Sequence, residues 1–199
     1  KNVFFMAPNY QAGKDSVSGF KRYYKGNISG ELYTTVNQPD YAAEIAQMQA
    51  AKPDALYVFY PGGMGVNFIK QMRQAGLLGQ IPVLSASTTD GSTLPALKET
   101  ALGVISGTFW GPDFNNPASK KFVADFEKKY SRIPSQYAAQ AYDSALLIDS
   151  AMKKTGGKAA DKAALTNALR AADFKSVRGN FRFNKNGFPI QDMHVFEVA

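Results

Sequence analysis

Few residues in this 199-residue chain could do covalent chemistry. Cysteine is absent, which excludes thiol nucleophiles, thiolate metal sites and disulfides together. The single histidine, His194, would have to carry any imidazole acid–base step alone, and it falls inside the last apolar segment, where it reads as an ordinary half-buried side chain. Gly62-Gly63-Met64-Gly65 follows an apolar run and opens a helical pattern, but it lacks the spacing of a dinucleotide fingerprint, and no acidic residue closes a second strand behind it. Gly13-Lys14-Asp15-Ser16 has the wrong upstream glycine spacing for a phosphate loop. Serine is plentiful, yet no Gly-x-Ser-x-Gly elbow occurs. Carboxylates do not cluster, Asp90 standing alone among the loop residues considered below, so neither a metal nor another cofactor is expected. Asn27-Ile28-Ser29 matches a glycosylation sequon, a tripeptide common by chance.

The order of the elements says more. Asn2–Ala7 (NVFFMA), Gly30–Val36, Ala55–Tyr60 (ALYVFY), Ile81–Ser85 and Gly103–Trp110 are apolar, β-branched or aromatic runs that read as strands. Helical patterns over Gly13–Tyr24, the segment around Tyr41, Ile45 and Met48 (with Asp40 as N-cap), Gly62–Ala75 and Leu94–Thr100 alternate with them. That alternation predicts an α/β fold: a doubly wound parallel sheet with right-handed crossovers, helices covering both faces because the strands are apolar throughout. The pattern then breaks. Three helices follow without a strand between them: one capped by Asn116 with Pro117 in its first turn, one over Ser135–Lys154, and one over Asp161–Ala171. Strands over Val177–Phe183 and Met193–Val198 close the chain, with a tight turn at Asn184-Lys185-Asn186-Gly187. Three helices with no sheet of their own imply a helical subdomain or a sheet supplied from elsewhere, and we prefer the second.

In an open parallel sheet, ligands sit outside the carboxyl ends of the strands, where the strand order reverses. Those ends carry Pro8-Asn9-Tyr10-Gln11, Tyr60-Pro61-Gly62-Gly63-Met64, Ser85-Ala86-Ser87-Thr88-Thr89-Asp90 and Trp110-Gly111-Pro112. The set is aromatic and hydroxylic, and its loops lead into helix N-termini that favour an anion. Asn9, Tyr10, Tyr60, Gly62, Ser87, Thr88 and Trp110 are therefore the candidate ligand contacts, and the expected guest is a small, partly aromatic molecule such as a carboxylate. The bland alternative is that Tyr10, Tyr60 and Trp110 merely cap the sheet.

Charge narrows the partners. Lys and Arg number 23 against 16 Asp and Glu, a net +7, but the lysines come in scattered pairs such as Lys120-Lys121, Lys128-Lys129 and Lys153-Lys154 on helices with an apolar opposite face. Solvated helix faces explain them, and nucleic acid is not an expected partner. No apolar run approaches the ~20 residues of a membrane span, and no secretory leader is visible.

Asp40-Tyr41-Ala42-Ala43-Glu44-Ile45, Ala51-Lys52-Pro53-Asp54-Ala55-Leu56 and the Gly-rich turn after them resemble type I periplasmic solute-binding proteins, the leucine/isoleucine/valine-binding kind that serve ABC importers. Asn116 to Val123, Tyr137 to Asp143, Val177 to Phe183 and Phe188 to Asp192 are similar to a branch of that family that takes up aromatic carboxylates such as benzoate or cinnamate derivatives. The resemblance covers nearly the whole chain and rests on order and spacing. It implies two α/β lobes joined by three crossovers with the ligand between them. Residues 1–112 would then be lobe two, 113–173 helices of lobe one whose sheet is missing, and 174–199 strands returning to lobe two, so the chain looks like a fragment or a protein that lost its front half. It also implies that Tyr10 and Tyr60 contact ligand, and that Ser87 stands where amino-acid binders carry a glutamate for the ligand's ammonium. Serine offers no charge-assisted partner, and an uncompensated buried ammonium is costly, so the departure points to a ligand without the amine.

Three functions fit at this stage. The first is periplasmic capture of an aromatic carboxylate for an inner-membrane ABC permease, without chemistry, the lobes closing about hinges near Gly111-Pro112 and Phe174. Branched-chain amino acid binding is its nearest variant. The others are an enzyme on a similar fold and a ligand-sensing effector domain of a regulator.

Overall fold

Successive side chains of a strand point to opposite faces, and the apolar run Val3–Ala7 supplies both. In the computed structural model, which describes residues 1–199, Phe4 and Met6 enter one core while Val3, Phe5 and Ala7 enter another. The strand carrying them, β1 (Asn2–Pro8), is accordingly buried on both sides.

The chain divides into two compact units, residues 1–108 with 195–199, and residues 109–194. The first holds β1, α1 (Gln11–Tyr23), β2 (Asn27–Thr34), α2 (Ala42–Ala50), β3 (Ala55–Val58), α3 (Gly63–Gln74), β4 (Val83–Ala86), the short α4 (Leu94–Leu97) with a 3-10 turn at Lys98–Ala101, and β5 (Ile105–Thr108). Its sheet runs β2-β1-β3-β4-β5 and ends on the last strand of the chain, His194–Glu197. The pairs β2-β1, β1-β3, β3-β4 and β4-β5 are all parallel.

The connection from β1 to β2 leaves in one direction and the path on to β3 returns in the other. Right-handed crossovers of opposite direction put their helices on opposite faces. The packing agrees: Val17 and Phe20 of α1 meet Phe5 and Tyr57, whereas Ile45 and Met48 of α2 and Phe68, Ile69 and Met72 of α3 meet Met6, Leu56 and Val58. Each fully buried large apolar side chain contributes roughly 1.5–3 kcal/mol. The strand order reverses between β1 and β3, and in open α/β sheets a crevice forms outside the carboxyl ends of the strands at such a point.

The second unit holds three helices, α5 (Pro117–Tyr130), α6 (Gln136–Lys154) and α7 (Lys162–Arg170), and a two-stranded antiparallel hairpin of β6 (Arg182–Phe183) and β7 (Pro189–Ile190). Asn116, Ser135 and Asp161 cap these helices through side-chain oxygens, accepting from the N–H groups of Ala118, Ala138 and Ala164. The core is Trp110, Phe122, Ala139 and Val177.

Two expectations need correcting here. The strand expected over Val177–Phe183 survives only as Arg182–Phe183, because Asn116 Nδ2 donates to the carbonyls of Ser176 and Val177 and the Val177 N–H goes to Asp143, so side chains occupy the groups a neighbouring strand would need. The turn at Asn184–Gly187 consequently joins β6 to β7 rather than to the final strand, β8 (His194–Glu197).

Candidate functional site

The site is built where β1 and β3 end. Asn9 donates its backbone N–H to the Thr34 carbonyl at 2.8 Å, closing the tips of β1 and β2, while its side chain stays exposed. Tyr10 follows as the N-cap of α1 and is 36% exposed. Its ring lies 6.4 Å from that of Phe59, the residue after β3, with 34° between the planes. The Phe59 N–H donates to Met6 of β1 at 3.1 Å, so the ladder between the strands continues to this point and anchors the ring's backbone.

Gly62 starts α3 at φ 62°, ψ −135°, a conformation open to glycine and costly for other residues. One turn on, a Cβ at Gly65 would come 2.3 Å from the Tyr60 carbonyl oxygen, so only glycine lets α3 dock this closely on the strand ends. Neither Tyr10 nor Gly62 caps its helix with a side-chain hydrogen bond. The first-turn N–H groups of α1 and α3 have no intrahelical acceptor and leave two positive dipole ends at the reversal point. The loop after β4 adds Ser87, half-buried with a left-handed φ of 56°.

Three of the seven residues singled out in the sequence do not line this mouth. Tyr60 is fully buried: its ring packs on Tyr41 and Phe68 at 5.1 and 5.0 Å, and its hydroxyl accepts from Thr34 Oγ1 at 3.2 Å. Strand parity is the reason, since Tyr60 continues the Leu56–Val58 face into the core beneath α2 and α3. Burial pushes its phenol well above the usual range, against the opposing effect of the Thr34 hydrogen bond, and burial with the nearby Glu44 charge pushes Tyr41 up to about 12. Neither phenol is a base. Thr88 is also fully buried, its Oγ1 accepting the Tyr60 N–H. Trp110 belongs to the second unit, 3% exposed, with its indole N–H donating to Ser119 Oγ at 2.9 Å. β5 stops two residues earlier, at Thr108. Asn9, Tyr10, Gly62 and Ser87 are brought to the strand ends, and Phe59, which the sequence does not single out, lies beside Tyr10 there. ALYVFY is apolar on both faces, so composition could not tell Phe59 from Tyr60, and only the face taken by α1 could.

The Ser87 loop has one carboxylate, Asp90, whose Oδ1 already accepts from the N–H and hydroxyl of Ser92, both at 2.6 Å. Rings, hydroxyls and helix N-termini dominate the mouth.

A model of periplasmic binding proteins matches residues 1–199. The chain belongs to the periplasmic binding protein family. A solute-binding protein of an ABC transporter from R. palustris, solved in complex with benzoate, is similar at 30% identity with a TM-score of 0.95, over 100% of this chain and 56% of that one. Another, from Rhodopseudomonas palustris BisB5 in complex with 3,4-dihydroxybenzoic acid, is 31% identical with a TM-score of 0.92, again over 100% and 56%. The Leu/Ile/Val-binding protein homolog 6 of Brucella melitensis is 27% identical across 100% of this chain and 53% of its own length. This periplasmic binding protein chain thus spans about half the length of the curated relatives it matches.

Proposed function

We propose that the protein containing this chain is an extracytoplasmic solute-binding protein that captures a small aromatic carboxylate and delivers it, unaltered, to an inner-membrane ABC permease. Residues 1–108 would form one lobe of a two-lobed clamp, and the helices of residues 109–194 would pack on the other. The observation that carries the reading is the mouth at the β1/β3 reversal: an accessible tyrosine ring against a phenylalanine ring, two helix N-termini without side-chain caps, and a serine at position 87. Aromatic faces suit a flat ring, and the helix ends favour an anion by about 0.3–1 kcal/mol each. The Ser87 loop offers an α-ammonium one carboxylate, Asp90, three residues along the chain, with its Oδ1 already bridged to the N–H and hydroxyl of Ser92. The benzoate and 3,4-dihydroxybenzoic acid complexes of similar proteins support the same class.

A second reading, a branched-chain amino acid ligand, is favoured by the Brucella relative named as a Leu/Ile/Val-binding homologue. Calorimetric titration of the protein expressed from its complete coding sequence separates the two. Benzoate, 4-hydroxybenzoate and 4-coumarate are expected to bind and leucine not. A true ligand at a hundredfold excess over its Kd adds about 2.7 kcal/mol of stability. Leucine binding without aromatic-acid binding would overturn the ligand class, and conversion of the bound acid to a product would overturn the absence of chemistry.

A further inference from the structure

We propose that the second unit carries a binding pocket of its own for a small planar carboxylate, read by the guanidinium of Arg178 and walled by phenylalanine rings. The pocket lies wholly within residues 109–194 and does not depend on the mouth at the β1/β3 reversal. Its first support is space: a cavity of about 310 Å³ lies between α6 and the segment from Phe174 to Pro189, within the range that holds a small ligand. The second is an unused donor. Arg178 lines this cavity although it is only 8% exposed. Its Nε donates to Asp143 at 2.7 Å and its Nη1 to Gln191 at 2.9 Å, while Nη2 has no acceptor in the chain. The side-chain polar atoms sealed without a partner are Ser29 Oγ and Tyr41 Oη, and Nη2 is not one of them, so it is open to a guest. The Asp143 bond and the Phe181 ring, 4.3 Å from the guanidinium, fix its plane, so the donor is set before a guest arrives. The third is the walls. The rings of Phe174 and Phe181 are 5.6 Å apart and those of Phe181 and Phe183 5.1 Å apart, inclined at 55° and 83°, and all three line the cavity. Such surfaces suit a flat ring. Asp143 balances the Arg178 charge, but its oxygens are occupied by Ser176, Val177 and Arg178 itself. The unit carries 14 Lys and Arg against 8 Asp and Glu, so its field favours an anion that can accept a charge-assisted bond from Nη2.

Benzoate and benzylammonium are the probes, one ring with opposite charges. Titration into the protein expressed from its complete coding sequence is followed by the backbone N–H resonances of Gln140 and Phe181, two residues that line the cavity. Benzoate is expected to shift them saturably and benzylammonium not. Ser144→Leu, at an exposed α6 position lining the cavity, fills the space and should abolish the shifts. Ala141→Leu gives the same comparison should that variant fold poorly. Arg178→Lys keeps a cation for Asp143 and removes Nη2, and should weaken benzoate here by about 10-fold or more. Tyr10→Ala, changed at the mouth, should leave these shifts in place. No saturable shift in the unsubstituted protein, an equal response to benzylammonium, an undiminished response in both cavity-filling variants, or full affinity in Arg178→Lys would each overturn the pocket. Loss of the shifts in Tyr10→Ala would assign them to the mouth and overturn it equally. Shifts that persist when no aromatic acid binds at the mouth would sink the transport reading and leave the pocket standing.

Discussion

Thr88 Oγ1 accepts the backbone N–H of Tyr60 at 3.0 Å with both residues fully buried, tying the tip of β3 to the loop after β4. The same loop is held from below, where Thr93 Oγ1 donates to the Thr88 carbonyl at 3.0 Å. The threonine that looked like a ligand contact in the sequence is a strut for the mouth. Thr88→Val keeps the shape and leaves the Tyr60 N–H without its acceptor. The expected cost is about 1–3 kcal/mol in urea denaturation. A loss within about 0.3 kcal/mol would mean that the N–H finds another partner.

The sequence displayed what local chemistry decides. Asn116 and Pro117 announce α5, and the Asn116 side chain caps it as that pairing implies. The alternation through residue 108 announces the doubly wound sheet. What stayed hidden depended on partners distant in sequence. Trp110 extends an apolar run, so it reads as strand, yet its indole finds Ser119 and its ring finds Phe122 at 5.8 Å. Val177 reads as strand until Asp143, 34 positions earlier, takes its N–H. Phe59 and Tyr60 are neighbours with interchangeable chemistry, and only the placement of α1 against α2 and α3 assigns one to the mouth and the other to the core.

Gly62 is the backbone hinge on which α3 turns into the mouth. No atom lies within 4 Å of a Cβ built there, so the difficulty of a substitution is conformational rather than steric crowding by neighbours. Gly62→Ala should therefore destabilise by about 1–3 kcal/mol, seen as a lowered midpoint in thermal or urea unfolding. It should weaken ligand binding as well, since the α3 N-terminus is reset. An alanine variant with unchanged stability and affinity would show that the loop relaxes at no cost.

Glu31 of β2 gives a pH-dependent term. Burial acts to raise its carboxyl, but hydrogen bonds from Lys21 and Tyr33 and the Lys21 charge outweigh burial, so it is held below the usual carboxylate value. The Lys21 Nζ–Glu31 Oε2 distance is 2.5 Å and Tyr33 Oη donates at 2.6 Å. A depressed folded value means stability that is fully present above the unfolded value and lost as pH falls through the folded one. The side chains are 36% and 27% exposed, so solvent screens the pair and its contribution is about 1 kcal/mol at most. Glu31→Gln should cost that much near neutrality and nothing in acid below the carboxylate range. A difference that grows on acidification would have the wrong sign for this pairing.

Asp143 of α6 organises the second unit. Its carboxylate, 1% exposed, accepts from Ser176 Oγ at 2.6 Å, Val177 N at 2.9 Å and Arg178 Nε at 2.7 Å. Arg178 is itself buried, donates to Gln191 at 2.9 Å and lies 4.3 Å over the Phe181 ring. Removing one partner of a buried pair strands the other charge, so Asp143→Leu should cost about 3–5 kcal/mol. Replacing both, as Asp143→Leu with Arg178→Met, removes the stranded charge together with its desolvation penalty. The double variant should recover much of that loss, leaving mainly the cost of the Ser176 and Val177 groups that lose their acceptor, about 1–3 kcal/mol. Denaturation of the two single variants and the double variant closes the cycle. Additive losses would mean that the ion pair is not the coupling, and that Asp143 acts through the Ser176–Val177 backbone alone.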